Sequence, residues 1–313
     1  MKALLNLAKG FRQSAALPKL VLTLYLANLL LSLLLAVPLF HALNDSMGAS
    51  QVRERMAEGF DYLWWEEFRD QSQGLAETFT PDLIGKGAPL LTFESLRRGG
   101  FLGLPPMLLA MGLLYLILRS ILSGGVLSIY RADKERFRLA DLLQGTMAYA
   151  VRFLGILLLG WVVLLGIVGP ISSWLDSLVE GAAQEAVSEV GPFYLNLLVS
   201  AAILFLFLFV QMVFDYARIS TVVRDRPNIL RSVLSGFHFV FQHPGATLSL
   251  YGLLILLQVC VTILYILLRS LIPQSGLIGV LSAFLLLQLF VLALVWIRCW
   301  LYSSQMFLYR FLQ

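Results

Sequence analysis

The chain has 313 residues, of which 59% are hydrophobic and only 13% are charged. Soluble globular chains carry about 45–50% apolar and about 25% charged residues, so this charge is too little to cover a soluble surface of this size. The composition excludes a soluble enzyme, a disordered chain and a disulfide scaffold, and it predicts an all-α polytopic membrane protein.

Six apolar stretches are each long enough to cross the ~30 Å hydrocarbon core of a bilayer as a helix, which takes about 20 residues. They are rich in leucine and lack the alternation of a membrane strand, so we expect helices. The first is longer than the about 7–15-residue apolar core of a cleavable signal peptide, and we expect it to stay as an anchor. We predict one membrane domain over residues 1–313, with spans at about 20–43, 104–122, 153–171, 193–214, 246–268 and 277–301.

The signs of the charges between the spans predict the orientation. The residues before the first span and those in the second and fourth connections are predominantly basic, whereas the connection between spans three and four carries acidic residues only. Because Lys and Arg are retained inside, both termini are predicted to lie in the cytoplasm of a bacterial inner membrane. These cations account for the net charge of +4, favour anionic lipid headgroups as partners and require no nucleic acid.

Residues 44–103 are the one sizeable polar segment, and we predict an extracytoplasmic helical connection there. A helix is expected over 51–70, because apolar residues such as Trp64 and Phe68 recur on one side. A shorter helix is expected at 93–98. We interpret the segment as a lid over the outer face, with docking of a protein partner or an outer-leaflet lipid at 51–70 as the alternative.

The cytoplasmic segments contain a repeat. In each copy a leucine precedes a glycine, a basic residue or histidine follows the glycine, and a long apolar span then begins. The copies are Leu143, Gly145 and Arg152; Leu234, Gly236 and His243; and a weaker N-terminal copy with Leu7, Gly10, Pro18 and Lys19. We expect three related units, in which the N-terminal helix and span six meet in space.

Each repeat segment is predicted to be an amphipathic helix at the cytoplasmic interface that leads into a span. Over 137–150 and 229–241, apolar residues recur at spacings of three and four and form one stripe. Such a stripe can be buried about 5–10 Å into the headgroup region of a membrane. It can also pack on the protein's own spans, and the spacing does not separate the two. In chain order the N-terminal copy is the first, the copy with Gly145 the second and the copy with Gly236 the third. Pro244 is expected to break the third copy between its flat helix and its span.

Leu143-x-Gly145 and Leu234-x-Gly236, with the spans that follow them, carry a resemblance to a known family. The chain resembles the membrane domain of glycerophosphodiester phosphodiesterases and related six-span bacterial proteins. The resemblance implies six membrane helices with interfacial helices between them. It implies no enzymatic activity, because the catalytic barrel of that family has no counterpart in this sequence.

Ionisable residues near span ends are the candidates for a binding site. Asp215 and Arg218 are three residues apart and can pair on one helix face, either to orient the helix exit or to bind a ligand. The candidate contacts for a lipid headgroup or another anionic ligand are Arg152, Asp215, Arg218, Arg224 and Arg298. The neutral polar residues of the spans, such as Gln288, are expected to form interhelical hydrogen bonds, with a polar solute path as the alternative.

No zinc-protease, serine-hydrolase, phosphate-loop or dinucleotide fingerprint occurs in the sequence. We therefore expect no catalytic residues, no cofactor and no metal site. The first hypothesis is a non-enzymatic integral membrane protein that acts as a scaffold or binds lipids or partners through its interfacial helices. The alternative is a transporter or channel for a small solute or lipid, and a membrane enzyme acting on lipids ranks third.

Overall fold

A computed structural model describes residues 2–48, 61–74, 76–79, 106–134, 136–185, 188, 190–225, 227–273 and 276–312. All regular structure in these ranges is helical. The helices are α1 (Lys2–Ala16), α2 (Pro18–Met47), α3 (Tyr62–Gln71), α4 (Pro106–Arg131), α5 (Leu139–Val163), α6 (Gly169–Glu185), α7 (Val190–Arg224), α8 (Ile229–Gln242), α9 (Pro244–Leu271) and α10 (Leu277–Leu312). The predicted helix at 93–98 and the first half of the helix predicted at 51–70 lie outside the described residues.

Six helices in the described ranges are long and apolar enough to cross a membrane. They are α2, α4, the α5–α6 segment, α7, α9 and α10, and they contain the six spans expected from hydropathy. The prediction of an all-α polytopic membrane protein is confirmed. The helices run past the predicted span ends, because a polar turn or a charged residue ends an apolar run without ending a helix.

Proline positions decide where the repeat segments bend. α2 begins at Pro18 and α9 begins at Pro244, so the first and third copies consist of a short helix, a break and a long helix. The ring of proline leaves no N–H for the helical ladder, and the residue before it is driven out of helical geometry. Phe153 occupies the equivalent position of the second copy, and there the helix continues from Leu139 without a break. The break expected at Pro244 is confirmed, and the second copy leads into its span without one.

The acidic segment after the third span is also helical, where a connection was expected. A π-helical turn, Leu164–Val168, joins α5 to α6, and Pro170 follows it at the start of α6. A proline inside a long helix removes one backbone donor, and a π-turn is a common way to absorb that loss. Helix α6 then carries Asp176 and Glu180 to its end at Glu185, since carboxylates do not interrupt a helix.

The chain divides into two compact units. Unit 1 comprises residues 1–17, 117–252 and 300–313, and unit 2 comprises residues 18–116 and 253–299. In unit 2, the Tyr25 hydroxyl donates a hydrogen bond of 2.7 Å to Gln288, and Tyr265 stacks on Phe290 at 4.4 Å. The first contact is interhelical and has the kind of partner that was expected for Gln288.

Unit 1 contains the helix ends that are buried on every side. From Met212 to Val222, every side chain of α7 is buried. The ends of α4 and α10 are similar, and Tyr130, Tyr216 and Tyr309 are among the largest fully enclosed side chains. These three helix ends form the core around which α1, α5 and α8 pack, and this core positions the residues considered next.

Candidate functional site

The repeat glycines lie where a short helical segment crosses the end of a long helix. A Cβ atom added at Gly236 would lie 2.6 Å from the backbone nitrogen of Ala217, too close for a side chain. The equivalent atoms at Gly145 and Gly10 would meet Ser128 and Ser304 in the same way. Glycine is therefore required for the helices to approach this closely.

The ends of α4, α7 and α10 form a second repeat, which the sequence reading missed. Gly125, Ala217 and Ser304 are the residues that lie beside the repeat glycines. When the three helices are aligned on these residues, other positions of the helices also correspond. Asp133 and Asp225 are then equivalent, and both adopt left-handed backbone geometry with φ of 48° and 47°. The signal available in the sequence was a small residue eight places before an aspartate on α4 and α7, which is too common to be noticed without the contacts.

Helix ends and short segments of unit 1 alternate around a closed ring, α10–α1–α4–α5–α7–α8–α10. Hydrogen bonds or ring contacts join each neighbouring pair. The contacts are Trp300 to the Leu7 carbonyl, Gln13 to Asp133, Ser120 to the Phe153 carbonyl, Arg152 to Asp225, Ser220 to Ser235, and the Phe239 ring on Tyr309. The N-terminal helix thus meets the last span, as the repeat predicted.

The short segments bury their repeat glycines and expose many of their large apolar residues. In α5, Met147 is 76% exposed and Leu143 is 45% exposed, while Gly145 and Leu142 are buried. The exposed side chains of the three segments form what we call the apolar faces of unit 1. They are Leu5 and Phe11 on α1; Leu139, Leu143, Met147 and Val151 on α5; and Leu230, Leu234, Phe237 and Phe241 on α8. Other residues of the stripes pack on neighbouring helices: Leu142 and Val240 are buried, and the Phe241 ring lies 5.7 Å from Phe209 of α7. Each stripe therefore packs on the protein along one edge and leaves the side chains of the apolar face exposed.

The predicted pair of Asp215 and Arg218 exists and is buried. An Nη1 donor of Arg218 lies 3.0 Å from Oδ1 of Asp215, and the side chains are 11% and 0% exposed. Burying two charges is tolerated when each meets the other with good geometry. The contact joins two residues of one helix, which is the geometry expected for a pair that orients the end of α7.

Arg152 forms a different ion pair, at the contact between α5 and α7. Its guanidinium lies 2.7 Å from Oδ1 of Asp225 and 5.5 Å from the centre of the Tyr149 ring. Arg224 is exposed on the last turn of α7. Arg298 is half-buried in unit 2, on α10. The candidate residues of unit 1 thus form two separate ion pairs and one exposed cation.

A small open cavity lies between the end of α4 and the start of α5. Its volume is ~230 Å³, and its lining includes Ser128, Ala132, Asp141, Gln144 and Ala148. At its edge the Lys134 ammonium lies 2.8 Å from Oδ1 of Asp141. In the sequence, Lys134 is one of several cations of the predicted cytoplasmic connections. Nothing in the sequence places it beside Asp141.

Helix α3 carries an aromatic cluster within unit 2. The Asp61 side chain caps the helix by accepting from the backbone N–H groups of Leu63 and Trp64. Trp64 stacks on Phe68 at 5.2 Å, and its indole N–H donates to Ser46 of α2 at 3.0 Å. The apolar side of the predicted 51–70 helix is thus partly used for packing inside the protein, while Leu63 is 74% exposed.

No family model matches this chain, and no curated protein or solved structure is significantly similar to it. The resemblance to the membrane domain of glycerophosphodiester phosphodiesterases therefore stays a prediction. The same holds for the absence of enzymatic activity and for the alternative of a solute path.

Proposed function

We propose that this chain is a non-enzymatic integral membrane protein that binds membrane lipid through the apolar faces of unit 1. The observation that carries the proposal is the orientation of the three short segments, which bury their glycines and expose residues such as Met147 and Leu234. Removing a large apolar side chain from water is worth about 1.5–3 kcal/mol. Ten such side chains on three related segments favour insertion into the boundary between headgroups and acyl chains.

The charges beside these faces support contact with anionic headgroups. Lys9, Arg12, Arg138 and Arg231 are exposed on or next to the same segments. A cation near an anionic membrane surface contributes about 1 kcal/mol. Together with the basic connections, this favours an orientation with both termini and the three short segments on the cytoplasmic side of a bacterial inner membrane.

Binding of a partner or scaffold assembly is a further part of the proposal. Tyr62 and Leu63 of α3 are 64% and 74% exposed although they neighbour the packed Trp64. An exposed tyrosine and leucine on a capped helix suit contact with a protein or with a membrane surface. We place this role second, since the three apolar faces of unit 1 are larger and recur.

Depth measurements on spin labels test the lipid-binding proposal. We expect labels at Met147→Cys and Leu234→Cys, in a Cys260→Ser, Cys299→Ser background reconstituted in vesicles, to be more accessible to oxygen than to a polar nickel reagent. A nitroxide in the headgroup–acyl boundary is reached by oxygen dissolved in lipid, while the nickel complex stays in water. The readout is the ratio of the two collision rates.

A label at Gln144→Cys provides the matched control, because Gln144 is exposed on the same helix but lies on its polar side. This label is expected to favour the nickel reagent. Equal, water-like ratios at all three positions would show that the apolar faces are not in lipid, and the proposal would then be wrong.

A further inference from the structure

The cavity between α4 and α5 presents a cation and a carboxylate to the same small volume. We propose that it binds the headgroup of an aminophospholipid, with Lys134 on the phosphate and Asp141 on the primary ammonium. This deepens the proposed function, on which it rests, by naming a lipid class and the residues that select it. Phosphate and ammonium groups form their strongest hydrogen bonds with oppositely charged partners.

The geometry of the ion pair suits exchange with a zwitterion. Lys134 and Asp141 lie 2.8 Å apart, and their side chains are 42% and 21% exposed. An exposed pair is worth little by itself, about 0–1 kcal/mol, so opening it costs little. A headgroup with both a phosphate and an ammonium can replace both partners. Its phosphate takes the place of Asp141 beside Lys134, and its ammonium takes the place of Lys134 beside Asp141. Gln144 lines the same cavity, and its amide NH₂ can donate hydrogen bonds to the phosphate oxygens.

Comparison with the third copy explains why the cavity occurs at this contact. Aligned on the repeat glycines, Ala148 corresponds to Phe239, which is 5% exposed and packs at 5.0 Å from Tyr216 of α7, at the contact equivalent to that of α4 and α5. Gln144 corresponds to Ser235, whose hydroxyl bonds to Ser220 at 3.1 Å and joins the two helices. Asp141 corresponds to Ser232. The third copy thus has an aromatic ring where the second copy has open space, and it lacks the carboxylate.

The neighbouring side chains favour a lipid over a free headgroup. Leu143 and Met147 are each one residue from a cavity-lining position on α5, and both are exposed. They belong to the apolar face of this helix, which provides a surface for the glycerol and the first acyl carbons. A bound aminophospholipid would therefore contact polar groups at its head and apolar groups beside its chains.

Native mass spectrometry on the full chain tests the site. The protein is exchanged from a detergent into mixtures of phosphatidylethanolamine and phosphatidylcholine with identical acyl chains. These lipids differ only in the headgroup nitrogen, which is a primary ammonium in phosphatidylethanolamine and a quaternary ammonium in phosphatidylcholine. The quaternary group has no N–H to donate to Asp141. We expect at least a tenfold preference for phosphatidylethanolamine, which falls to about one in Asp141→Ser. Lys134→Ala should weaken binding of both lipids at this site.

Ala148→Phe is the decisive variant, because the third copy already accommodates phenylalanine at this position. It should abolish the preference while leaving the melting temperature within a few degrees of the original protein. Glu66→Ala, which removes an exposed carboxylate of α3 that does not line the cavity, should leave the preference intact. Retention of the preference in Ala148→Phe, or its absence in the original protein, would overturn the proposal.

A third arm separates the possible sources of the headgroup. Free glycerophosphoethanolamine is added as competitor, and we expect it to displace the lipid only at concentrations far above that of the lipid itself. Equal competition would assign the cavity to a soluble aminoalkyl phosphate and overturn the assignment to a lipid. The spin-label ratio at Leu234, which lies on α8, does not depend on this site, so failure of the headgroup proposal is distinguishable from failure of the proposed function.

Discussion

At the scale of single residues, the sequence predicted the contact between Asp215 and Arg218 but not its burial. Their spacing of three predicted the contact, and the structure has it at 3.0 Å. The spacing could not predict that Asp215 would be fully enclosed, because burial depends on the elements that pack against α7 and not on α7 itself. At the equivalent positions of α4 stand Ser123 and Val126, so the same fold also accepts an uncharged pair.

We expect Asp215→Ser to lower the stability of the protein by about 3–5 kcal/mol, because it leaves the guanidinium of Arg218 buried without its carboxylate. The double variant Asp215→Ser, Arg218→Val reproduces the residues of α4 and should recover most of this loss. Melting temperatures in one detergent, with the Arg218→Val single variant completing the cycle, provide the comparison. A double variant as unstable as Asp215→Ser would show that the pair is not the source of the effect.

At the scale of the secondary-structure element, glycine positions determine where helices approach closely and proline positions determine where helices break. Leu-x-Gly followed by a span was recognised in the sequence, but the contact that requires Gly236 was not, since its partner Ala217 lies on another helix. Proline explains the breaks before α2 and α9, and its replacement by Phe153 explains the unbroken α5. The sequence predicted the break at Pro244, where the proline has no N–H for the helical ladder.

Gly236→Ala is expected to destabilise the protein by about 1–3 kcal/mol, because the new methyl group meets backbone atoms of Ala217 and Val213 that cannot move alone. Gly252→Ala is the matched control: Gly252 is also helical, and nothing lies within 4 Å of an added Cβ atom. That variant should be neutral or slightly stabilising, as alanine is the better helix former. Thermal unfolding of both variants in the same detergent would reveal the difference, and equal melting temperatures would contradict close packing at Gly236.

At the scale of the whole molecule, the ring of unit 1 joins the N-terminal helix to helices that are far away in the chain. Gln13 of α1 donates to Asp133 at the end of α4 at 2.8 Å, although 120 residues separate them. Arg152 makes the equivalent contact to Asp225 one copy further on. Each aspartate follows the end of a long helix with left-handed geometry, so the short segment before it in the ring holds that turn.

A short thiol-specific crosslinker tests whether the ring closes in this order. In a Cys260→Ser, Cys299→Ser background, Gln13→Cys with Asp133→Cys should crosslink in high yield in membranes. Gln13→Cys with Asp225→Cys should crosslink poorly, because Asp225 is held by Arg152 of the next segment. Cleavage at a protease site introduced between residues 81 and 89, which lies between Gln13 and both aspartates in the chain, followed by gel electrophoresis, reports the link. Efficient crosslinking of the second pair alone would contradict the ring.

The amino-acid sequence by itself determined the class of the molecule, because hydropathy and helix length depend on local composition. It determined six membrane-spanning helices, the existence of a repeated glycine-containing segment and the pairing of Asp215 with Arg218. The tertiary structure alone decided which side of each short segment is buried, since the stripe spacing is the same for packing inward and for facing lipid. It also placed Lys134 beside Asp141 and left Ala148 facing open space, a difference from Phe239 that depends on contacts between helices distant in the chain.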